Sequence, residues 1–219
     1  MTRPRRGEPR AKTKILDASR KLFSRKGFSE TSMGDIAKAA QVARATVYNN
    51  FDDKQDILAG IIREYLVGYA EIPLKLRDGA RSGQTSFDLV EEMVRQALSW
   101  KVQNADIAPI VAVARNLRGS GWEEANKAAD DSMLGWIMNV HAADETAGLV
   151  RDDIDLSFGV RATYWMIEAF IVSFDPTSDQ EAINRAAHQL ALLHWYAICK
   201  VPPAEAPESP LGKKAPSQV

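Results

Sequence analysis

Apolar side chains recur at helical spacing along almost the whole chain, and no segment shows the alternation of a half-buried strand. Gly27 and Pro73 mark the ends of the first and fourth apolar patterns, because glycine favours a helix C-terminus and proline kinks or ends a helix. The pattern predicts a first helix that ends at Gly27, a second that begins near residue 31 or 32, a third at about 44–50 and a fourth that begins near 53. Five further helices are predicted at 87–104, 107–117, 122–142, 156–174 and 178–200. The fold class is therefore predicted to be all-α.

Two of these helices are short and lie in the stretch MGDIAKAAQVARATVYNNFDDK, residues 33–54. About three residues join them, which is the pattern of a helix-turn-helix. Ala37, Val42 and Val47 fall where the two helices would pack on each other, so small and polar side chains remain on the outer side of the second helix. In such a motif that helix enters the DNA major groove. A purely structural hairpin would not need this exposed face, and the pattern therefore favours DNA binding.

Charge is distributed unevenly along the chain. Residues 1–54 carry 13 Lys and Arg against 6 Asp and Glu, a net charge of +7, whereas the remainder carries 15 against 23, a net charge of −8. A basic N-terminal segment followed by an acidic remainder indicates that the N-terminal segment has a polyanionic partner. The alternative is a solvated basic tail, since four of the arginines lie within the first ten residues.

Residues 12–62 resemble the N-terminal DNA-binding domain of the TetR family of transcriptional regulators. The resemblance rests on positions that agree in register: Ile15-Leu16, Leu22-Phe23, Gly27, Thr31, Ile36-Ala37, Val42, Thr46-Val47-Tyr48, Phe51 and Lys54. It covers about a quarter of the chain, and the helix count and the segment GLVRDDIDL support it elsewhere. It implies an all-helical homodimer with an arm and three-helix DNA-binding domain at 1–52 and a helical ligand-binding and dimerisation domain at 53–201. The tail at 202–219 is rich in Pro and small residues, and this composition predicts disorder.

The resemblance also implies which side chains read DNA. Arg44 falls at a base-reading position, and Ala45 and Asn49 fall at neighbouring positions that face the groove. The arm before residue 11 is expected to add minor-groove or phosphate contacts.

Phosphate contacts are implied for a second set of residues. Thr46 and Tyr48 resemble the family's phosphate-contacting pair, and Lys54 resembles a phosphate clamp at the start of the long helix. Thr31 or Ser32 would offer a hydroxyl group and helix N-terminal amides to another phosphate.

Two positions of the turn depart from the family pattern. Gln41 stands where glycine is common, and Ala43 stands where Ser or Thr commonly caps the recognition helix. Alanine at an N-cap costs about 1 kcal/mol relative to serine, and a left-handed Gln41 would add about 1 kcal/mol of strain. We expect the motif to survive, because packing by Val42 and Val47 outweighs these costs.

All five tryptophans lie at or beyond residue 100. Aromatic residues at helical spacing more often form core than a ligand pocket, but the family places a cavity between the long helix and the middle helices. The candidates for its lining are Tyr65, Trp100, Trp122, Met133 and Trp136, and Arg115, Asn116, Asn104 and Glu168 are scarce polar groups that could orient a ligand. An aromatic pocket favours a small, mostly apolar effector.

The last two helices carry the predicted dimer interface. The segment FGVRATYWMIEAFIVSF, within 156–174, is apolar nearly all round, so one face can serve the core and another a partner. Isologous pairing with the helix at 178–200 would form an intersubunit four-helix bundle.

Patterns for catalysis and metal binding are weak. No Gly-rich phosphate loop follows a strand, RGSGW lacks the spacing of a nucleophile elbow, and the three histidines form no i,i+4 pair. The sequence therefore predicts no catalytic residues, no metal site and no cofactor. No apolar run approaches the roughly 20 residues of a membrane span, and no apolar stretch follows the basic start as in a secretory signal. With a single cysteine, this predicts a cytoplasmic protein without a membrane partner.

The function predicted from the sequence is that of a TetR-like repressor. It would bind palindromic double-stranded operator DNA as a homodimer and be released by the effector. Two alternatives stay open: a DNA-binding architectural protein without an effector, and a helical enzyme.

Overall fold

The structure, a computed structural model, describes residues 9–118, 120–206 and 208–209. These residues form helices joined by short loops, without a β-strand, so the predicted all-α fold class is confirmed. The α-helices are α1 Pro9–Lys26, α2 Met33–Ala40, α3 Arg44–Asn50, α4 Lys54–Ala70, α5 Ile72–Gly79, α6 Ser86–Gln103, α7 Ala108–Asn116, α8 Trp122–Thr146, α9 Leu156–Ser173 and α10 Gln180–Ile198. None of the described helices is long and apolar enough to cross a membrane. The part of the expected basic arm at residues 1–8 lies outside the described residues.

Pro73 does more than end the fourth helix. Helix α4 stops at Ala70, and α5, which the sequence pattern did not predict as a separate helix, starts at Ile72 with Pro73 in its first turn. Proline is tolerated there because the first N–H groups of a helix have no partner within the helix. The predicted helix at 122–142 continues to Thr146.

The described chain divides into two compact units. Unit 1 comprises the residues up to Gly68 together with Asn104–Lys127, and unit 2 comprises Tyr69–Gln103 together with the residues from Ala128 onward. Helices α4 and α8 contribute residues to both units. This division differs from the boundary expected between residues 52 and 53, because α4 and α7 bury apolar side chains in the same core as the N-terminal helices. The functional boundary at residue 53 stays a prediction.

Unit 1 is built around buried apolar side chains from α1, α2, α3, α4 and α7, among them Ile15, Ile36 and Ile57. A polar contact ties α1 to the turn before α7: the guanidinium of Arg20 donates to both carboxylate oxygens of Asp106, at 2.8 Å and 2.5 Å. These contacts support the helices that present the turn between α2 and α3.

Unit 2 has its own core, to which α6, α8, α9 and α10 contribute most of the buried side chains. The segment expected to be disordered, 202–219, is ordered in its first part: Pro203–Glu205 form a 3-10 turn, and the Ser209 N–H donates to the Gln84 carbonyl at 2.7 Å. Backbone pairing with the loop before α6 offsets the low apolar content that favoured disorder. The rest of the expected tail, residue 207 and residues 210–219, lies outside the described residues.

Candidate functional site

The start of α2 is held by a capping box. Ser32 is the N-cap: its hydroxyl accepts from the Asp35 N–H at 3.1 Å, and the Asp35 carboxylate accepts from the Ser32 N–H at 3.0 Å. Lys26 donates to the same carboxylate at 2.9 Å, and together these contacts hold the pKa of Asp35 far below its ordinary value. Thr31 is buried, and its hydroxyl donates to the Gly27 carbonyl at 2.7 Å. Of the two hydroxyls considered for a phosphate, Ser32 is the exposed one.

The turn between α2 and α3 has the geometry that its unusual residues imply. Gln41 is left-handed, with φ 56° and ψ 43°, and its N–H points back to the carbonyls of the last turn of α2. The Val42 N–H donates to the Ala37 carbonyl at 3.0 Å. Ala43 is the N-cap of α3 and makes no side-chain cap. The turn is thus closed by backbone hydrogen bonds alone.

Helix α3 presents most of its surface to solvent. Its seven residues include one fully buried side chain, Val47, which anchors the helix in the core of unit 1. Arg44, Ala45, Tyr48 and Asn49 are exposed, as the prediction of a groove-facing surface requires. Thr46 is half-buried, and its carbonyl accepts from the Asn50 side-chain amide at 2.7 Å. The DNA contacts themselves stay a prediction.

Lys54 has a structural role that the sequence did not indicate. Its ammonium donates to the carbonyls of Phe28 at 2.8 Å and Ser29 at 3.1 Å, and it lies 4.8 Å from the centroid of the Phe28 ring. These contacts fasten the loop between α1 and α2 to the start of α4. Since an ammonium has three N–H donors, one remains for the predicted phosphate contact.

The five candidates for the effector pocket belong to different units. Tyr65 and Trp122 pack against the core of unit 1, and the Arg115 guanidinium lies 4.9 Å from the centroid of the Trp122 ring. In unit 2, Met133 and Trp136 are buried, and Trp100 packs against the same core. The structure therefore gathers the candidates in two groups, and their role in a pocket stays a prediction.

Two partly buried carboxylates of unit 2, those of Glu168 and Asp130, lie beside tyrosine hydroxyls. Tyr69 donates to Glu168, and Tyr164 donates to Asp130 at 2.7 Å. Burial raises the pKa of Glu168 to about 7, with the nearby Asp130 charge as a further cause, and burial also raises the pKa of Asp130. Glu168 was among the polar groups considered from the sequence, but Asp130 was not, because its helix position alone does not distinguish it from a surface acid.

A second buried polar group joins α6, α8, α9 and α10 within unit 2. His141 Nδ1 lies 2.7 Å from the Asp144 carboxylate, and the Nε2 atoms of His141 and His194 are 2.9 Å apart. His194 Nδ1 lies 2.7 Å from the Thr163 hydroxyl, and Ser86 donates to Asp144 at 3.0 Å. Burial, with the neighbouring His141, lowers the pKa of His194 well below its ordinary value, so this ring stays neutral.

Cys199 lies at the edge of this chain of hydrogen bonds. Its sulfur and the ligand atoms of His141 and Asp144 are all within 4.8 Å of one another. Burial raises the pKa of the Cys199 thiol to about 12, so the thiol is protonated at neutral pH. Both nitrogens of His141 already have partners. The arrangement is therefore that of a structural hydrogen-bond network.

Comparison with known proteins gives one family. The model of "Bacterial regulatory proteins, tetR family" matches residues 15–61. The transcriptional regulator AcrR of Shigella flexneri is 45% identical over 60 residues, which are 26% of this chain and 28% of that protein. The transcriptional repressor KstR2 of Rhodococcus jostii is 26% identical over 170 residues, which are 73% of this chain and 79% of that protein. The match with AcrR thus spans little more than a quarter of that relative's length.

Solved structures share the fold across most of the chain. The fatty acid degradation regulator FadR from Bacillus halodurans superposes with a TM-score of 0.67 at 17% identity, over 84% of this chain and 95% of that one. The regulator FadR from Bacillus subtilis, in complex with stearoyl-CoA, gives 0.64 at 16% identity, over 82% and 96%. The ketosteroid regulator KstR2 of Mycobacterium tuberculosis gives 0.61 at 14% identity, over 90% and 99%.

Proposed function

Because the chain belongs to the TetR family of bacterial regulatory proteins, we propose that it is a cytoplasmic repressor that binds palindromic operator DNA as a homodimer. The observation that carries the proposal is the surface of α3, which buries Val47 alone and exposes Arg44, Ala45, Tyr48 and Asn49. A short helix with one anchor and a polar outer face fits the major groove. No catalytic role is proposed.

In this proposal, one set of side chains contacts the bases and another set contacts the phosphates. The Arg44 guanidinium can donate two parallel hydrogen bonds to the O6 and N7 atoms of a guanine, with Asn49 reading a neighbouring base edge. Thr46, Tyr48 and Lys54 hold the phosphate backbone, which sets register without reading sequence.

The second part of the proposal is release by a small, mostly apolar effector bound in the C-terminal domain. Its support is the aromatic core of unit 2. Further support comes from structural neighbours described as a fatty acid degradation regulator, a regulator in complex with stearoyl-CoA, and a ketosteroid transcriptional regulator. Helix α4 starts at Lys54 and continues to Ala70, so a shift of this one helix would reach a DNA-contacting residue. A coupling of about 1–3 kcal/mol would change operator affinity roughly 5–150-fold.

Operator selection tests the DNA part. The wild-type protein should enrich a palindrome from a random DNA pool, with half-sites about one helical turn apart or a multiple of it. Arg44→Ala should then lose about 1–3 kcal/mol of discrimination at one base pair of each half-site and keep its affinity for unrelated DNA. Unchanged discrimination in this variant would show that Arg44 does not read a base.

A thermal-shift screen tests the effector part. The probes are fatty acyl-CoA thioesters, steroids and planar aromatic compounds, and every compound that stabilises the protein is then added to an operator titration. At least one should weaken operator binding 5-fold or more. If compounds that stabilise the protein leave operator affinity unchanged, the protein is an architectural DNA-binding protein and the effector proposal fails.

A further inference from the structure

Gly34 stands in the first turn of α2, one residue after the helix begins. Glycine is a poor helix residue, because it loses the most backbone freedom on folding and exposes the backbone. The space beside it is filled: a Cβ atom at Gly34 would lie 2.6 Å from Nη2 of Arg44 and 3.2 Å from its Cζ and Nε atoms. The guanidinium of Arg44 therefore lies across the backbone of α2, in the volume that any side chain at position 34 would occupy.

We propose that Gly34 is a positioning residue for Arg44, and that its missing side chain determines how strongly the guanidinium discriminates the base pair that it reads. The inference rests on the proposed function, since it assigns Gly34 a part in the base reading by α3. It names a specificity-determining residue on the first helix of the motif, which the pattern of exposed residues on α3 did not include.

The physical reason is preorganisation. A free arginine side chain has several rotatable bonds, and immobilising it on binding has an entropic cost. The flat guanidinium packs against the α2 backbone at Gly34, so part of that freedom is already lost before DNA arrives. The capping box of Ser32 and Asp35 and the ion pair of Lys26 with Asp35 hold the first turn of α2 in place. The α2 backbone on which the Arg44 guanidinium packs is therefore a rigid surface.

A Cβ atom at position 34 would displace only the far end of one flexible side chain. The fold can accept that displacement, and alanine is the better helix former. Gly34→Ala should consequently keep or raise the melting temperature while it weakens sequence discrimination. A residue with a merely structural role would not move stability and specificity in opposite directions.

The experiment compares Gly34→Ala, Arg44→Ala, the double variant and Gly135→Ala on the operator selected by the wild-type protein. Gly135 is the matched control, because it is an exposed helical glycine in α8 with nothing within 4 Å of a Cβ atom. Each variant is measured for its melting temperature and for its affinity to the operator and to operators with single base-pair changes.

Gly34→Ala should lose roughly 2–10-fold of discrimination, at the same base pair at which Arg44→Ala loses it. The double variant should discriminate no worse than Arg44→Ala alone, because Gly34 acts through Arg44. Gly135→Ala should raise the melting temperature and leave every DNA affinity unchanged.

Two results would overturn the positioning role without affecting the proposed function. One is full discrimination by Gly34→Ala when Arg44→Ala has lost it. The other is a further loss of affinity on adding Gly34→Ala to Arg44→Ala, which would mean that the DNA backbone itself approaches Gly34. A wild-type protein that selects no sequence, or an Arg44→Ala variant with unchanged discrimination, would instead refute the base-reading function and the inference with it.

Discussion

Gln41 is a residue in a conformation that its side chain disfavours. Among the described residues it is the one non-glycine with a positive φ, 56°. A left-handed backbone costs an L-residue with a Cβ atom roughly 1–2 kcal/mol. The strain is retained because the N–H groups of Gln41 and Val42 donate hydrogen bonds that close the end of α2. It is retained also because Val47, which follows in α3, is buried in the core.

Gln41→Gly should therefore stabilise the protein. The substitution relieves the backbone strain but raises the conformational entropy of the unfolded chain, which offsets part of the gain. The net result should be an increase of about 0.5–1 kcal/mol in the free energy of unfolding. Urea denaturation measures it, with Gln55→Gly as the control, because Gln55 lies in the first turn of α4 with no positive φ. The control should lose about 1 kcal/mol. A loss in both variants would contradict the strain argument.

Glu168 should make stability depend on pH. Its pKa is raised to about 7 in the folded protein, mainly by burial, from an ordinary value of 4.5. Between these values the folded state binds more protons than the unfolded state, so the contribution of Glu168 to stability is present below pH 4.5 and is lost as pH rises through 7. Glu168→Gln removes this titration and keeps an acceptor for the Tyr69 hydroxyl.

The measurement is the difference in unfolding free energy between Glu168→Gln and the wild type, from pH 5 to pH 8. As pH rises, the variant should become more stable relative to the wild type. His194 contributes with the opposite sign, because its lowered pKa makes acid destabilising, but this contribution is the same in both proteins and cancels in the difference. A flat difference for Glu168→Gln would show that burial does not raise its pKa.

At the scale of elements, the start of α4 stabilises the fold and carries Lys54, a residue of the proposed DNA interface. Lys54 closes the loop between α1 and α2 by binding the carbonyls of Phe28 and Ser29. The loop leads into Ser32 and the capping box, so the same ammonium helps to fix a second phosphate-contacting candidate. An effector that shifts α4 would disturb both contacts together.

Lys54→Ala should show both roles in one variant. We expect a loss of about 1–2 kcal/mol in unfolding free energy from the two hydrogen bonds, equal weakening on all DNA sequences, and a salt slope smaller by about one. Lys21→Ala, which removes the same charge from the exposed face of α1, should leave stability unchanged. If Lys54→Ala changed stability but not the salt slope, the phosphate contact would be wrong.

At the scale of the whole molecule, the exposed apolar surface is concentrated on two helices. Among the described residues, seven of the ten large exposed hydrophobic side chains lie on α9 and α10: Phe158, Trp165, Met166, Phe170, Val172, Leu193 and Tyr196. A concentration of exposed apolar side chains on two helices that pack together is typical of an interface. It supports the proposed isologous bundle of α9 and α10 with a second copy of the chain.

Trp165→Glu should dissociate this dimer. Trp165 is 48% exposed on α9, and a charge there would be buried twice in a symmetric interface. We expect dimer affinity to fall by at least about 2 kcal/mol, roughly 30-fold, and operator affinity to fall with it. Leu74→Glu on α5, 49% exposed, is the control and should leave sedimentation unchanged. A wild-type protein that sediments as a monomer at micromolar concentration would refute the interface.

The sequence by itself determined what depends on neighbours along the chain. Helical periodicity and turn chemistry are local, so the bounds of α3, the end of α1 at Gly27, a start of α2 close to residue 32 and the cap-free Ala43 could all be predicted. The spacing of Ala37, Val42 and Val47 also predicted the outer face of α3. The family resemblance added which of its residues read bases and which bind phosphate, and these roles stay predictions.

Only the tertiary structure decided which distant residues meet. Lys54 binds carbonyls 25 and 26 positions away, Arg44 lies over Gly34 on another helix, and His141 pairs with His194 across 53 positions. Periodicity assigns a residue to a face of its helix but not to a partner on another helix. That choice follows from how the helices pack, where burial and hydrogen bonding are settled together by residues far apart in the chain.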